Sequence, residues 1–260
     1  MGYGFCQPYL VTDINGNNTE ICFDSLGMVI RFTAYGQTTT EGDSLDNFLR
    51  YPDKDFLRLY YKGPKSEAAY ALLLECHSRF IYNLNRYRNN KNERTEKSPV
   101  YTSVIMREKH VSQTVAAGER SALQVSLSCT DGFGRESQRN VQGNAKTSDR
   151  KLMGSGWNIH NNKGLKFREY EPFFDDTHEY KYEKVECVSA TCLYDPISRL
   201  VTTLHADHNW EKVMFSPWEH SAWDGNDTAL LDPLTYPDVG YLFSAKERAE
   251  IEAEAGRIAA

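Results

Sequence analysis

Several features are missing from this sequence, and each absence excludes a class of protein. No apolar run approaches the 18 or more residues of a membrane-crossing helix. A basic excess is missing: 30 Lys and Arg face 36 Asp and Glu, for a net charge of −6 and a pI near 5.7. General nucleic-acid binding needs a basic face and is not expected. Cys-x-x-Cys spacing is missing from the six cysteines, Cys6, Cys22, Cys76, Cys129, Cys187 and Cys192. Their scatter fits neither a zinc ribbon nor a disulfide framework, and suggests free thiols in a chain folded in a reducing compartment. Met1-Gly2-Tyr3-Gly4-Phe5 has neither the basic nor the apolar region of a signal peptide. The expectation is folding in the cytoplasm, with any extracellular action reached by other means of export. Gly-x-Ser-x-Gly elbows, phosphate-cradling glycine loops and Cys/His nucleophile pairings are also missing. No cofactor is implied.

What is present is aromatic content, with 16 Tyr and 12 Phe, which favours strands, and one recurring phrase. Phe23-Asp24-Ser25-Leu26-Gly27-Met28-Val29 and Tyr194-Asp195-Pro196-Ile197-Ser198-Arg199-Leu200-Val201 share the order aromatic, Asp, two residues, Gly or Ser, then a β-branched position. Asp13-Ile14-Asn15-Gly16, Asp131-Gly132-Phe133-Gly134-Arg135 and Asn161-Asn162-Lys163-Gly164 are related forms. An Asp or Asn at the first turn position bonds backbone amides ahead of it, and Gly three residues later adopts positive φ. Strand-forming residues flank each phrase, so it spells a hairpin. Its repetition predicts a sheet grown by repeated hairpins. The structural turn residues are Asp13, Gly16, Asp24, Gly27, Asp131, Gly134, Asn161, Gly164, Tyr194, Asp195 and Arg199. Ser198 stands where glycine is expected, so that turn is either looser or holds a serine in the left-handed region.

The predicted fold is mainly β. Residues 6–35 read as a meander. A helical insertion follows at about 43–78, where Gly42-Asp43-Ser44-Leu45-Asp46 can cap a short helix and Glu67–Glu75 is rich in helix formers. Residues 79–87 alternate like a strand, and 88–98 read as a polar loop. Arg79, Arg86, Arg88, Lys91, Arg94 and Lys97 are read as a solvated basic stretch around that loop, with a phosphate or lipid contact as the alternative. Strands are then expected at 101–108, 123–129, 135–141, 157–160, 165–170, 179–185, 190–194, 199–205, 210–216 and 220–223. One further turn is expected over Ala206-Asp207-His208-Asn209, and 142–151 is read as a loop rather than a domain boundary. The organisation expected is one segment over 1–243 and an Ala/Glu-rich tail over 244–260. The tail should be a helix that frays, since alone it has little apolar face to bury.

Three groups have residue types capable of chemistry. His205-x-x-His208 with Asp207 has the donors of a metal site, but on a strand and turn the two imidazoles need not face the same way. Glu169, Glu171, Asp175 and Asp176 have the carboxylates of an acid–base pair, in flanks that read as strand end and loop. Trp210, Phe215, Trp218 and Trp223 could form a stacking platform for sugars, or sheet packing and wall lining. The expectation is that no residue is catalytic and none holds a metal.

The ordered string Gly154-Ser155-Gly156-Trp157-Asn158-Ile159-His160-Asn161-Asn162-Lys163-Gly164, then Tyr170-Glu171-Pro172-Phe173-Phe174, Tyr194-Asp195-Pro196, Arg199-Leu200-Val201, Leu204 to Val213, Pro217-Trp218, Trp223-Asp224 and Asn226-Asp227-Thr228, carries more information than any single motif. Over roughly Tyr9 to Phe243 the chain resembles the C-terminal YD-repeat, Rhs-like region of the B component of bacterial ABC-type (Tc) insecticidal toxin complexes. The resemblance implies a spiral β-sheet shell wall, closed jointly with a C component. Such a shell holds an unfolded effector polypeptide until an A component provides the translocation channel. It implies a non-enzymatic structural part of a secreted virulence factor, with no nucleic-acid partner and no direct membrane insertion. The regions that would contact the A component, and the self-cleaving aspartate site of the C component, have no counterpart in these residues. A carbohydrate-binding surface module is the alternative role. A wall section by itself would leave strand edges unpaired, which favours self-association.

Overall fold

The structure is a computed structural model that describes residues 6–38, 41–45, 51–62, 67–89, 99–142, 152–154, 157–175, 179–181 and 188–258. The chain is mainly antiparallel β with a few short helices. It divides into two compact units, one formed by residues 1–154 and 174–182, the other by 155–173 and 183–260.

The first unit opens with β1 (Leu10–Thr12), β2 (Asn18–Phe23) and β3 (Val29–Tyr35), the expected meander. Helices α1 (Lys54–Lys62) and α2 (Glu67–Leu73) then interrupt the sheet. Strand β4 (Ser78–Asn83), the short helix α3 (Arg86–Asn89), β5 (Val100–Arg107), helix α4 (Val111–Ala117), β6 (Leu123–Thr130), β7 (Glu136–Gln142) and β8 (Leu152–Gly154) follow. The chain continues through β9 (Asn158–His160), β10 (Lys166–Tyr170), β11 (Phe173–Asp175), β12 (Ser189–Tyr194), β13 (Leu200–Leu204), β14 (Trp210–Phe215) and β15 (His220–Trp223) to α5 (Ala245–Ile258). Among the described residues, one sheet has nine strands in the order β1 to β8 and then β11, and the other has six in the order β15-β14-β13-β12-β10-β9. Within each sheet most neighbours in space are neighbours in sequence, as repeated hairpins require.

Alternation explains the packing. On β5, Tyr101, Ser103, Ile105 and Arg107 are buried, and their β6 partners Cys129, Leu127, Val125 and Leu123 lie on the same face. The helical insertion covers this face. Tyr60, Ala68, Ala69, Leu72 and Leu73 pack with Ile81, Ile105, Leu123 and Val125. The Tyr60 hydroxyl lies 2.7 Å from Ser103 Oγ, which donates to the Ser126 carbonyl at 2.9 Å. The buried hydroxyls are thereby hydrogen-bonded. The opposite face of β5 and β6 (Thr102, Met106, Gln124, Ser128) is half-buried or exposed.

The end of α2 is fixed by arginines from the sheet. No basic residue lies in its last turn, yet its C-terminal carbonyls are bonded: Arg79 Nη1 donates to Leu72 O at 2.8 Å, Arg107 Nη2 to Leu74 O, and Arg107 Nε to Cys76 O at 2.8 Å. Cations at helix C-termini satisfy orphan carbonyls and complement the helix dipole. Leu74, in the left-handed region at φ 52°, reverses the chain there.

In the second unit Leu193, Leu204, Trp210, Val239, Phe243 and Ile251 form the core. Ile251 comes from α5 and docks the Ala/Glu-rich tail on this core. A capping box starts the helix: Glu247 N–H donates to Ser244 Oγ at 3.3 Å, and Ser244 N–H donates to Glu247 Oε2 at 2.6 Å. Arg248 bonds the Leu234 carbonyl at 2.8 Å, and Arg168 pairs with Glu250 at 3.0 Å.

The structure revises several local expectations. The Asp43 carboxylate is turned into the first unit, where it accepts the Val111 amide, and the rest of the expected cap and helix start, residues 46–50, lies outside the described residues. Arg79 and Arg86 are not solvated: Arg79 is buried, and the Arg86 guanidinium stands 3.6 Å over the Tyr61 ring. Helix α4 and strand β11 form where no element was expected, and α3 occupies the start of the expected 88–98 loop. Residues 179–181 are not in a strand; the rest of that expected strand, and residues 90–98 and 143–151, lie outside the described residues.

Candidate functional site

The unit of construction is a five-residue turn. Asp13, Asp24, Asp131, Asn161 and Asp195 each place Oδ1 2.8–3.0 Å from the amide two residues ahead and 2.8–3.0 Å from the amide four ahead. In each turn the backbone amide of the first residue bonds the carbonyl four ahead, and the fourth residue's amide bonds back to the first residue's carbonyl. The fourth residue must then have positive φ: Gly16 and Gly27 at 81°, Gly134 at 79°, Gly164 at 83° and Ser198 at 72°. The β-bulges recorded after Cys22, Cys129 and Leu193 are the strand-side signature of these turns. A sixth turn has the same backbone, but begins at His205 rather than at the expected Ala206, and its fourth residue is His208 at φ 67°. His205 has no carboxamide or carboxylate to bond the amides ahead; Asp207 bonds the Asn209 amide instead, at 3.1 Å.

Two of the turns carry an additional lock. Arg135 Nε donates to Asp131 Oδ2 at 2.6 Å and Arg199 Nε to Asp195 Oδ2 at 2.7 Å. The Arg199 guanidinium also lies 4.2 Å from the Phe215 ring centroid. Tyr194 Oη donates to Lys166 O at 2.8 Å and ties β12 to β10. This gives the Tyr-Asp-x-x-x-Arg phrase a physical division of labour: tyrosine bonds the strand behind, aspartate folds the turn, and arginine stacks on the strand ahead.

The Asp13, Asp131 and Asp195 carboxylates are held below their ordinary pKa. For Asp13 the side-chain bond from Asn17 is the largest cause, with backbone amides adding to it. Desolvation pushes Asp131 and Asp195 up, but the arginine and the amides together outweigh it. A depressed folded pKa contributes stability that is present above the unfolded value, about 3.9, and is lost as pH falls through the folded value. Changing Asp13, Asp131 and Asp195 together to Asn is therefore expected to keep the hairpins at pH 7, as Asn161 does naturally, and to flatten the acid limb of a stability-versus-pH curve below about pH 4. An unchanged acid limb would show that these turns are not the groups being protonated.

Ser198 supplies a second test. A non-glycine residue in the left-handed region costs on the order of 1 kcal/mol, so Ser198→Gly should stabilise the second unit by about 0.5–1 kcal/mol in urea unfolding. Destabilisation would mean that the serine hydroxyl makes a compensating bond.

The aromatic candidates do not form one platform. Trp210 is buried, with its indole N–H donating to Leu231 O at 2.9 Å. Trp223 lies 3.4 Å beneath the ammonium of Lys212, a buried lysine that pairs with Asp238 at 2.7 Å. Phe215, an odd number of residues from Trp210 on the same strand, stands on the other face, and Trp218 is exposed. The carboxylate candidates are dispersed: Glu169 pairs with Lys166 at 2.8 Å, Glu171 is exposed, Asp175 ends β11, and Asp176 lies outside the described residues. His205 Nε2 lies 3.2 Å from Glu211 Oε1, a cross-strand pair that leaves His208 out. Cys6, Cys22, Cys76, Cys129 and Cys192 are free thiols, and Cys187 lies outside the described residues. Burial pushes the Cys76 thiol up and Cys129 up to about 12, which removes both as thiolate nucleophiles.

One cluster escaped the sequence reading. Asp43 Oδ2 lies 2.7 Å from His110 Nδ1 and 3.3 Å from His77 Nδ1, while Asp43 Oδ1 accepts the Val111 amide at 2.8 Å and faces Arg107 Nε at 3.7 Å. The carboxylate is fully buried. Gly42 makes this possible, because a Cβ there would come within 2.5 Å of the Ala34 carbonyl. Among the described residues this is the one group of His, Cys, Asp and Glu with the mutual spacing of metal ligands. Its members are 34 and 67 positions apart in the chain, so no local motif marks them.

The architecture defines a class: two antiparallel sheets extended by Asx-turn hairpins, a Tc toxin-like fold. Its solved counterparts are parts of much longer chains. The crystal structure of TcdB2-TccC3 matches with a TM-score of 0.65 and 21% identity, over 86% of this chain and 11% of that one. TcdB2-TccC3-Cdc42 matches with a TM-score of 0.66 at 18% identity, over 88% of this chain and 14% of that one. The Photorhabdus luminescens Tc holotoxin pore matches with a TM-score of 0.62 at 18% identity, over 88% and 13%. The chain thus spans about a seventh or less of the structures it resembles. No protein-family model and no curated protein matches it. No helix among the described residues is long and apolar enough to cross a membrane.

Proposed function

We propose that this chain is a section of the wall of a Tc-type toxin shell, within the B component, that helps enclose an unfolded effector polypeptide before translocation. The observation that carries the reading is the repeated hairpin. Six turns of one backbone geometry, in both units, join strands into sheets that, among the described residues, end at β1 and at β15. A repeat of this kind extends a surface without needing a pocket. The fold likeness to TcdB2-TccC3 supports the same reading.

In this role the chain performs no catalysis. It binds a C component to close the shell, and meets an A component only through other B-component regions. It acts outside the producing cell as part of the complex. On β5 and β6 of the first sheet and β12 to β14 of the second, one face is buried against helices or core residues. The uncovered faces, with Thr102, Ser128, Tyr194, Thr203 and Phe215 half-buried, would offer unfolded chain a mixed polar and aromatic surface without a specific binding pocket. The test is protection of the effector from protease in a complex of this chain with the remaining B-component regions and a C component. Removing residues 154–230 should expose the effector; protection that survives the deletion overturns the reading.

A further inference from the structure

We propose that Asp43, His77 and His110 bind one divalent transition-metal ion of the zinc class. Two imidazole nitrogens and one carboxylate oxygen form a donor set suited to Zn²⁺ or Co²⁺; calcium and magnesium prefer oxygen-only shells, and Cu(I) prefers sulfur. The three ligand atoms lie within 4.8 Å of one another. Tetrahedral bonds of about 2.0–2.1 Å place adjacent ligand atoms roughly 3.3 Å apart. The His77 Nδ1 to Asp43 Oδ2 distance is already 3.3 Å. The His110 Nδ1 to Oδ2 distance is 2.7 Å and must open by about 0.6 Å to admit an ion of that bond length. His110 is the most exposed of the three at 39%, and it sits at the start of a seven-residue helix, so the movement is local.

The surroundings divide the two carboxylate oxygens between separate tasks. The Val111 amide and Arg107 hold Oδ1, which fixes the plane of the carboxylate and leaves Oδ2 for the ion, as outer-shell partners do in metal sites. Arg107 offsets part of the negative charge, but from the other oxygen. In the metal-free protein the Asp43 carboxylate accepts from His110 Nδ1–H, so on binding that proton passes to Nε2 or to solvent and Nδ1 presents its lone pair to the ion. His110 also lines an open cavity of about 460 Å³ with Glu41, Ser112 and Gln113, which gives an access route and space for water as the remaining ligand. The ion would fasten three separated segments: the approach to the helical insertion, the start of β4 and the start of α4. This inference is independent of the wall role, since the site lies wholly within the first unit.

The full chain, stripped with a chelator, is titrated with Co²⁺ and read by visible d–d absorption, then with Zn²⁺ and read by thermal unfolding. One equivalent of Co²⁺ should give tetrahedral bands that Zn²⁺ abolishes. Zn²⁺ at a hundredfold above its dissociation constant should raise Tm by roughly 5–10 °C. The His77→Ala/His110→Ala variant should keep its far-UV circular dichroism, lose the bands and lose at least about tenfold in affinity. His205→Ala/His208→Ala should bind like the parent. Absence of the bands in the parent chain, or their persistence in the His77/His110 variant, overturns the proposal. Asp43→Asn is a poorer probe, because it removes the counter-charge of Arg107 along with the ligand.

Discussion

Trp210→Ala is expected to cost the second unit about 3–5 kcal/mol, the range for truncating a buried aromatic side chain. Among the described residues the indole is the largest fully buried side chain, and it contacts a core drawn from β12, β13, α5 and the segment between β15 and α5. Its ring also lies 5.5 Å from Tyr236, and its N–H satisfies the Leu231 carbonyl. The Trp210 backbone carbonyl accepts from Thr228 Oγ1, so this one residue ties the sheet to residues 228–236 by packing and by two hydrogen bonds. Trp210→Phe keeps most of the apolar volume but leaves the Leu231 carbonyl without its donor, and should cost roughly 1–3 kcal/mol. Urea unfolding followed by circular dichroism decides the matter; a loss below 1 kcal/mol for the alanine variant would mean that the core of this unit lies elsewhere.

Arg107→Met should have a comparable effect in the first unit, about 3–5 kcal/mol, because it breaks a buried charge pair from one side. Asp43 would keep a fully buried carboxylate without its guanidinium, and the Leu74 and Cys76 carbonyls would lose their donors at the end of α2. Arg107→Lys should recover only part of this, since an ammonium cannot reproduce the planar fork that reaches two carbonyls at once. Full rescue by lysine would show that charge alone matters. If Met itself proves neutral, the helical insertion is held to the sheet by its apolar face and not by the arginines.

The two predictions fall on residues with very different visibility in the sequence. Trp210 sits in a strand that the sequence predicts over 210–216. Its burial against residues 231–251 was not readable, because that segment has no strand pattern to say which of its apolar residues pack on the sheet. The tail illustrates the same limit. Its composition predicted a helix, but the contacts that dock it, Ile251 in the core, Arg248 on the Leu234 carbonyl and Glu250 on Arg168, are scattered along it. Periodicity over a whole helix does not reveal such anchors.

The hairpin turns were the most legible part of the fold, because every bond that makes them lies within five residues. Asp at the first position and Gly at the fourth fix the geometry locally. Where the residue types departed, at Ser198 and in the His205–His208 turn, the backbone kept the same form; the neighbouring hairpins therefore impose it on residues that would not choose it. The Asp43 cluster was illegible for the opposite reason. Asp43 reads as a helix cap, His77 follows a helix and His110 precedes one, and only the pairing of β4 with β5 brings the two histidines to one carboxylate. Arg79 and Arg86 were misread likewise: charge composition predicts solvent, whereas Arg79 bonds a helix-end carbonyl and Arg86 covers the Tyr61 ring.

The central claim is that this chain forms wall. Electron cryomicroscopy of the chain assembled with the remaining B-component regions and a C component tests it most directly. The account predicts both sheets within a closed shell, edge strands Leu10–Thr12 and His220–Trp223 paired with further strands, and effector density against the uncovered faces. A map that leaves those edges unpaired, with the chain outside the enclosing layer, would contradict it.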